Sequence, residues 1–323
     1  MRIAVLADIH ANLPALEAVI KDLNAAGPDV VVVAGDFQNR GPQPREVTEL
    51  VASKGWRLLR GNHEDYVIKQ SQPLETLDMA EYYSWLPARW TAEQTPQSVE
   101  WIRLLPIALR LDAPESSELT IAHGSPRSNA EGFFPSTSKE KAIEMIGKDP
   151  PRVLCCGHTH VPLLRKVNGT LVFNVGSVGF PFDGDQRAAY GLLTWREGNW
   201  STELRRISYS VAAVLTQFEK NGFCEGAGPL AHIIRREVTS ARPHLTPFCR
   251  RFGSQLRSGQ ISIFEAVKAY LALSQEEIEA YYLRLGRSCA APDGVFQAAT
   301  WNTARPQAAR SQSEQSPPGS GSG

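Results

Sequence analysis

The sequence predicts an α/β fold: a four-layer αββα sandwich in which two mixed β-sheets stack and helices flank them. Three observations carry this. Residues 1–60 read β-α-β-α-β, which implies parallel strands with their carboxyl ends on one edge. Short strands return after residue 107. From about residue 160 the pattern turns antiparallel, with two hairpin signals, Asn168-Gly169 and Glu197-Gly198-Asn199.

Residues 2–7 are nearly all apolar, as a strand covered on both faces requires. Leu13, Leu16, Val19, Ile20 and Leu23 follow at helical spacing. A second buried strand, 29–34, runs into Gly35-Asp36. Residues 44–54 read as a helix with proline near its start, where the missing N–H costs nothing. A third strand, 56–60, runs into Gly61-Asn62-His63. The aromatic-rich stretch 75–105, with Trp85, Trp90 and Trp101, reads as a packed helical cap. Strands 107–112 and 118–123, a helix at 139–146 and a strand at 152–156 come next, then hairpins 163–167/170–174 and 189–195/200–208. Beyond Ser210, residues 211–221, 229–240, 262–273 and 275–285 read as helices. The expected organisation is thus a catalytic-type domain over 1–209, a helical module over 210–299 and a disordered tail over 300–323, rich in Gln, Ser, Pro and Gly.

Thirty-four basic and 34 acidic residues leave no net charge, so any attraction to polyphosphate must be local. No apolar run is long enough to span a bilayer, and no membrane partner is expected. The opening residues enter a strand directly, without a leader pattern. Five scattered cysteines argue against a disulfide framework, and a cytoplasmic location is expected. Cys155-Cys156, inside a strand, reads as a pair of small hydrophobes.

Five of the seven histidines lie in four short motifs at predicted strand ends: Asp8-Ile9-His10, Gly61-Asn62-His63-Glu64, Ala122-His123-Gly124 and Gly157-His158-Thr159-His160. A fifth motif, Gly35-Asp36 followed by Asn39-Arg40-Gly41-Pro42, adds an aspartate. Two apart on an extended segment, Asp8 and His10 are expected to point the same way. Asp36, at the neighbouring strand end, lies close enough to bridge two ions, and Asn62 offers a neutral oxygen. With His123, His158 and His160 this makes seven ligands, suited to two divalent metals with open positions for water and substrate. Oxygen and imidazole donors fit manganese first, with iron or zinc as alternatives, and paired ions suggest chemistry at phosphorus. His232 and His244, outside the motifs, read as structural.

In this order the five motifs resemble the calcineurin-like metallophosphoesterase superfamily over roughly residues 1–208. The stretch Asn174-Val175-Gly176-Ser177-Val178-Gly179, with Asp183-Gly184-Asp185 and Ala189-Tyr190, resembles its small bacterial and archaeal phosphodiesterase branch. The resemblance implies that Asp8, His10 and His160 hold one metal, that Asn62, His123 and His158 hold the other, and that Asp36 bridges them. It further implies in-line attack on phosphorus by a metal-bound hydroxide, with His63 as general acid or donor to the leaving oxygen. Gly-Asp-x-x-x-Arg-Gly is similar to the serine/threonine protein phosphatases and the symmetrical dinucleoside polyphosphate hydrolases, which places Arg40 on a phosphate. A guanidinium fork suits that contact. The run Asn39-Arg40-Gly41-Pro42 looks more like the hydrolases. The phosphatases have aspartate where Asn39 stands, so the partner of His63 stays open. Arg127 is a second, weaker phosphate-contact candidate. Gly176-Ser177 reads either as backbone lining of the site or as a turn.

The expected function is therefore a dinuclear metal-dependent phosphodiesterase acting on a phosphorylated small molecule or nucleotide. The alternatives are a dinucleoside polyphosphate hydrolase, a serine/threonine protein phosphatase and, from a different class, a non-enzymatic metal-binding scaffold. Arg235-Arg236 and Arg250-Arg251 read as solvated helix faces, with a nucleic-acid or protein partner surface on the C-terminal helices as the other reading. The oligomeric state stays open.

Overall fold

The computed structural model describes residues 1–73, 79–111 and 118–284. The chain runs β1 (Arg2–Leu6), α1 (Leu13–Ala26), β2 (Val30–Val33), α2 (Pro44–Ser53), β3 (Arg57–Leu58), α3 (Asn62–Gln70), α4 (Met79–Gln94) and α5 (Val99–Arg103). It continues through β4 (Ala108–Leu111), β5 (Leu119–Ala122), α6 (Lys139–Ile146), β6 (Val153–Cys156), β7 (Leu163–Val167), β8 (Thr170–Asn174), β9 (Ala188–Arg196) and β10 (Asn199–Ile207). The strands form two five-stranded mixed sheets, β10-β9-β1-β2-β3 and β4-β5-β6-β8-β7.

In the first sheet β1, β2 and β3 are parallel, with Ile3 beside Val30 and Leu6 beside Val33. In the second, β5, β6 and β8 are parallel, with Leu119 beside Val153 and Leu154 beside Val172. Each set therefore delivers its carboxyl ends to one edge, where ligands of such sheets bind. The period of two along β1 explains its apolar composition. Ile3 and Val5 join Leu119, Ile121, Val153 and Phe173 between the sheets, while Ala4 and Leu6 meet Leu16 and Val19 of α1 outside. On the far side, Ala142, Met145 and Ile146 of α6 cover Leu154 and Cys156 of β6. The four-layer αββα arrangement follows from these three interfaces.

Both hairpins turn on two residues in the left-handed region, Asn168 (φ 44°) with Gly169 (90°) and Glu197 (49°) with Gly198 (77°). That geometry matches the twist of the flanking strands. Asn199 pairs with Arg196 and belongs to β10 rather than to the turn.

After β10 the chain is helical through α7 (Val211–Lys220), α8 (Phe223–Gly226), α9 (Leu230–Ser240), α10 (Leu245–Arg257), α11 (Ile263–Leu271) and α12 (Gln275–Arg284). One apolar cluster joins Val214, Phe218, Phe223 and Ile234 to Phe180 and to Trp90 of α4. Trp90 meets Phe223 edge to face at 5.0 Å. The aromatic cap and the C-terminal helices are thus packed together. A second cluster joins Ile233, Phe248, Phe252, Val267 and Tyr270. Helix α10 is not among the expected helices; Pro247 and Gly253 within it have low helix propensity. Pro247 sits in the first turn, where proline is tolerated, and Leu245, Phe248, Phe252 and Leu256 supply the apolar stripe. Residues 74–78 of the cap, 112–117 of the β4–β5 region, 285–299 of the expected module and the tail 300–323 lie outside the described residues.

Candidate metal centre and active site

The motif residues converge in the loops that leave β1, β2, β5 and β6 and at the amino end of α3. Asp8, His10, Asp36, His123 and His160 are buried, and Asn62 nearly so. Two local expectations are corrected. Asp8 and His10 do not converge by strand alternation, because β1 ends at Leu6 and both residues are left-handed, at φ 55° and 48°. Asn62 is the first residue of α3 rather than a strand end, because β3 stops at Leu58. Of the eleven non-glycine residues with positive φ among those described, eight lie in these loops: Asp8, His10, Ala11, Asp36, Asn39, Arg40, His158 and His160. Each costs about 1–3 kcal/mol. Only a surrounding network that over-determines the backbone keeps them there.

That network is visible. Glu64 Oε2 accepts the backbone N–H of Asp36 (2.7 Å) and of Gly61 (2.8 Å), and Oε1 accepts that of Gln38 (3.1 Å), so one carboxylate ties the β2 loop to α3. Asp8 Oδ2 accepts the backbone N–H of His158 at 2.9 Å, tying the β1 loop to the β6 loop. Asn12 caps α1 through Oδ1 and donates from Nδ2 to Gly179 O. Ser177 donates to Asp8 O at 2.7 Å, so Gly176-Ser177 braces the Asp8 loop from behind. Gly61 and Gly157 lack side chains for a steric reason: a Cβ on the first would overlap the Asp36 carboxylate, and on the second would lie 2.5 Å from Asp8 Oδ2. Glu64 has no role in the sequence-based expectations, and Ser177, expected either as backbone lining of the site or in a turn, acts here through its hydroxyl. Their signal was a carboxylate three residues into a helix and a hydroxyl beside glycine, both of which also read as ordinary caps and turns.

The candidate ligand atoms form two groups, with His63 also within reach of His10 and Asp36. In the first, His160 Nε2 lies 3.1 Å from His10 Nε2 and 3.2 Å from Asp8 Oδ1. In the second, Asn62 Oδ1 lies 3.0 Å from His123 Nε2 and 2.8 Å from His158 Nδ1, and those two nitrogens are 3.2 Å apart. Asp36 Oδ2 sits between the groups, 3.2 Å from His123 Nε2 and 3.8 Å from His10 Nε2. Two donors each about 2.1 Å from a common ion, at angles between square and tetrahedral, stand about 3.0–3.4 Å apart, so most of these spacings suit shared coordination. Asp8 Oδ1 is buried without a hydrogen-bond partner, a cost that a cation removes. The remote nitrogens of His123 and His160 face the backbone oxygens of Ala34 and Phe180. Their N–H donation there turns the Nε2 lone pairs inward. The donor set therefore fits divalent metal.

His63 stands over the first group, its ring 4.6 Å from that of His10. Its Nδ1 is 2.9 Å from Asn39 Nδ2. Asn39 Oδ1 accepts the Arg40 N–H at 2.7 Å, which fixes the amide so that its NH₂ faces the imidazole. Nδ1 is then the acceptor, and the ring proton resides on Nε2. Arg40 lies against Phe180 and Phe182, and Phe182 stacks on His160. Arg127 is exposed and paired with Glu131 and Glu144. His244 is buried, bonded to Ser240 and Tyr270, whereas His232 is exposed on α9. Burial pushes both strand thiols up, Cys156 to beyond the ordinary range.

Burial also sets the protonation of the cluster. Loss of hydration lowers His158 to about 4 and His63 to about 3, with neighbouring cationic groups adding to each. His123 moves the other way: burial opposes its charge, but the Asp36 carboxylate beside it and then Asp8 lift it to about 10. A metal held by His123 would take neutral imidazole, so at pH 7 its binding would expel the His123 proton. Affinity for Mn²⁺ is expected to rise about tenfold per pH unit between pH 6.5 and 8.5, with about one proton released. Calorimetry in buffers of different ionisation enthalpy checks this, and a pH-independent affinity contradicts it. The same proton stabilises the metal-free fold. Because the folded value exceeds the unfolded one of about 6.5, that contribution is complete below about pH 6.5 and is lost as pH rises towards about 10.

Among the described residues no helix is long and apolar enough to cross a membrane. The model of the calcineurin-like phosphoesterase superfamily domain matches residues 1–198. The chain is 26% identical over 244 residues to the uncharacterized protein MJ0912 of Methanocaldococcus jannaschii, covering 70% of this chain and 95% of that one. It is 25% identical over 201 residues to the phosphodiesterase YfcE of Escherichia coli, covering 60% and 87%. A solved metallophosphoesterase from Sphaerobacter thermophilus superposes with a TM-score of 0.58 at 26% identity, over 75% of this chain and all of that one. With the family's domain covering every strand of both sheets except β10 and its ligand types gathered at their shared edge, the chain belongs to the calcineurin-like phosphoesterase superfamily and is a metal-dependent phosphoric ester hydrolase.

Proposed function

We propose that the protein is a phosphodiesterase that cleaves nucleotide-type phosphodiesters at a pair of divalent ions, manganese first among them. The observation that carries this is the position of Asp36 Oδ2 between two ligand groups. Asp8, His10 and His160 would hold one ion, Asn62, His123 and His158 the other, and Asp36 would serve both. When bound, such ions lower the pKa of an attacking water and neutralise charge on the phosphoryl oxygens. The chain's own groups do the rest. His63, its Nδ1 occupied by Asn39, offers Nε2–H to the leaving oxygen. Arg40 takes a non-bridging oxygen.

The Arg40 guanidinium is already paired with Glu237, which leaves less positive charge for a dianionic monoester and suits a monoanionic diester. The likeness to YfcE, named a phosphodiesterase, points the same way. An amide at position 39, donating to His63, departs from the aspartate of the protein phosphatases. The run Asn39-Arg40-Gly41-Pro42 keeps dinucleoside polyphosphates in the substrate panel. The four described cysteines are all free, which fits the cytoplasm.

The test compares bis-p-nitrophenyl phosphate with p-nitrophenyl phosphate, using Mn²⁺-loaded and chelated protein. Chelator-sensitive preference for the diester is expected, and preference for the monoester contradicts the proposal.

A further inference from the structure

The C-terminal helices reach the site at one point. Arg40 Nη2 and Nε donate to a single oxygen, Oε2 of Glu237 on α9, at 2.5 and 3.0 Å. Glu237 is wholly buried and the Arg40 side chain is 11% exposed. The other carboxylate oxygen, Oε1, accepts the backbone N–H groups of His244 (2.8 Å) and Leu245 (2.9 Å) at the start of α10. Both oxygens are therefore committed, and the carboxylate is anchored to its own helical corner rather than free to follow the arginine. The same helices hold the loop a second time, through Asn221 Nδ2 on Pro42 O at 3.1 Å. Arg40 itself is left-handed, at φ 73°. Its guanidinium carbon lies 5.6 and 5.3 Å from the ring centroids of Phe180 and Phe182, and Phe182 stacks on His160 at 4.3 Å. The Phe182 ring thus touches both the guanidinium and a candidate ligand of the first metal group. Glu237 is beyond the residues matched by the family domain, which end at 198.

We infer that Glu237 is a positioning residue: it holds Arg40 by Nε and Nη2 so that Nη1 faces the substrate's phosphoryl oxygen, and the helices after Ser210 thereby complete the active site. This rests on the reading that Arg40 binds substrate phosphate. A long flexible arginine gains binding strength when its orientation is set before the ligand arrives. Here the setting device comes from a part of the chain 197 residues away.

The test is steady-state hydrolysis of bis-p-nitrophenyl phosphate by the Mn²⁺-loaded full chain, comparing wild type, E237Q, E237D, R40A and the double variant R40A/E237Q. Glutamine keeps an oxygen for the His244 and Leu245 N–H groups and removes the charge facing Arg40. E237Q is expected to raise KM about tenfold with kcat within about threefold of wild type, and R40A to do the same. The double variant should be no worse than R40A, since Glu237 acts through Arg40. E237D, which keeps the charge with shorter reach, should give an intermediate KM and covers the case in which E237Q does not fold. If R40A is impaired while E237Q is unchanged, the positioning role is overturned and the phosphate reading of Arg40 survives. A lower KM in E237Q overturns it too, because Glu237 is then a competitor of the substrate. If R40A is itself unchanged, the reading beneath the inference fails.

Discussion

Asp36→Asn is expected to lose at least one metal and to slow diester turnover by on the order of 10³-fold, about 4 kcal/mol of transition-state stabilisation. The substitution is nearly isosteric. Asparagine retains an oxygen for the His63 N–H now accepted by Oδ1 at 2.8 Å, so the start of α3 stays in place. What changes is Oδ2, where an anion facing both His123 and His10 becomes an NH₂ donor. That group can ligate neither ion, and it no longer holds a proton on His123. Metal analysis after desalting, read beside turnover, checks the result. Retention of both metals with full activity would remove Asp36 from the bridging position. A native far-UV circular dichroism spectrum of the metal-free variant at the assay temperature would show that the loss is not one of folding.

His63→Ala is expected to behave differently, keeping its metal content and slowing turnover by roughly 10²-fold. The imidazole lies over the ligand groups without needing to join them, because Nδ1 is already taken by Asn39. Its Nε2–H is then available to the leaving oxygen, and alanine removes that donor without opening the coordination shell. The deficit should shrink for substrates with acidic leaving groups, which need less help in departure. Unchanged kcat across a leaving-group series would exclude His63 from the mechanism.

Much of this site could be read in one dimension because its chemistry is written largely in histidine, of which only His232 and His244 lie outside the motifs. Histidines and aspartates recur where apolar runs stop, and the parallel order of β1, β2 and β3 brings those stops to one edge. The local backbone could not be read so well. Alternation on an extended segment was the natural expectation for Asp8 and His10, yet both sit in left-handed turns that a distant network enforces. Such strain depends on Ser177, Gly179 and Glu64, whose contacts cross from one strand end to another. The partner of His63 was open for the same reason: nothing near Asn39 in sequence indicates which way its amide turns until the Arg40 N–H is seen on Oδ1. Helix α10 was not among the expected helices, and the local propensity of Pro247 and Gly253 within it opposes a stripe of four apolar residues that tertiary packing rewards. Glu237 lay furthest from sight. A glutamate in an amphipathic helix is ordinarily a solvated residue, and only the fold places it, wholly buried, against Arg40.

The stoichiometry of activation distinguishes a paired-ion site from a single one. Chelated protein is titrated with Mn²⁺ while bound metal and bis-p-nitrophenyl phosphate turnover are followed together. Two ligand groups sharing Asp36 predict that turnover stays low at one equivalent and reaches its plateau at two. Full turnover at one equivalent, with no further rise on adding the second, would contradict the dinuclear site.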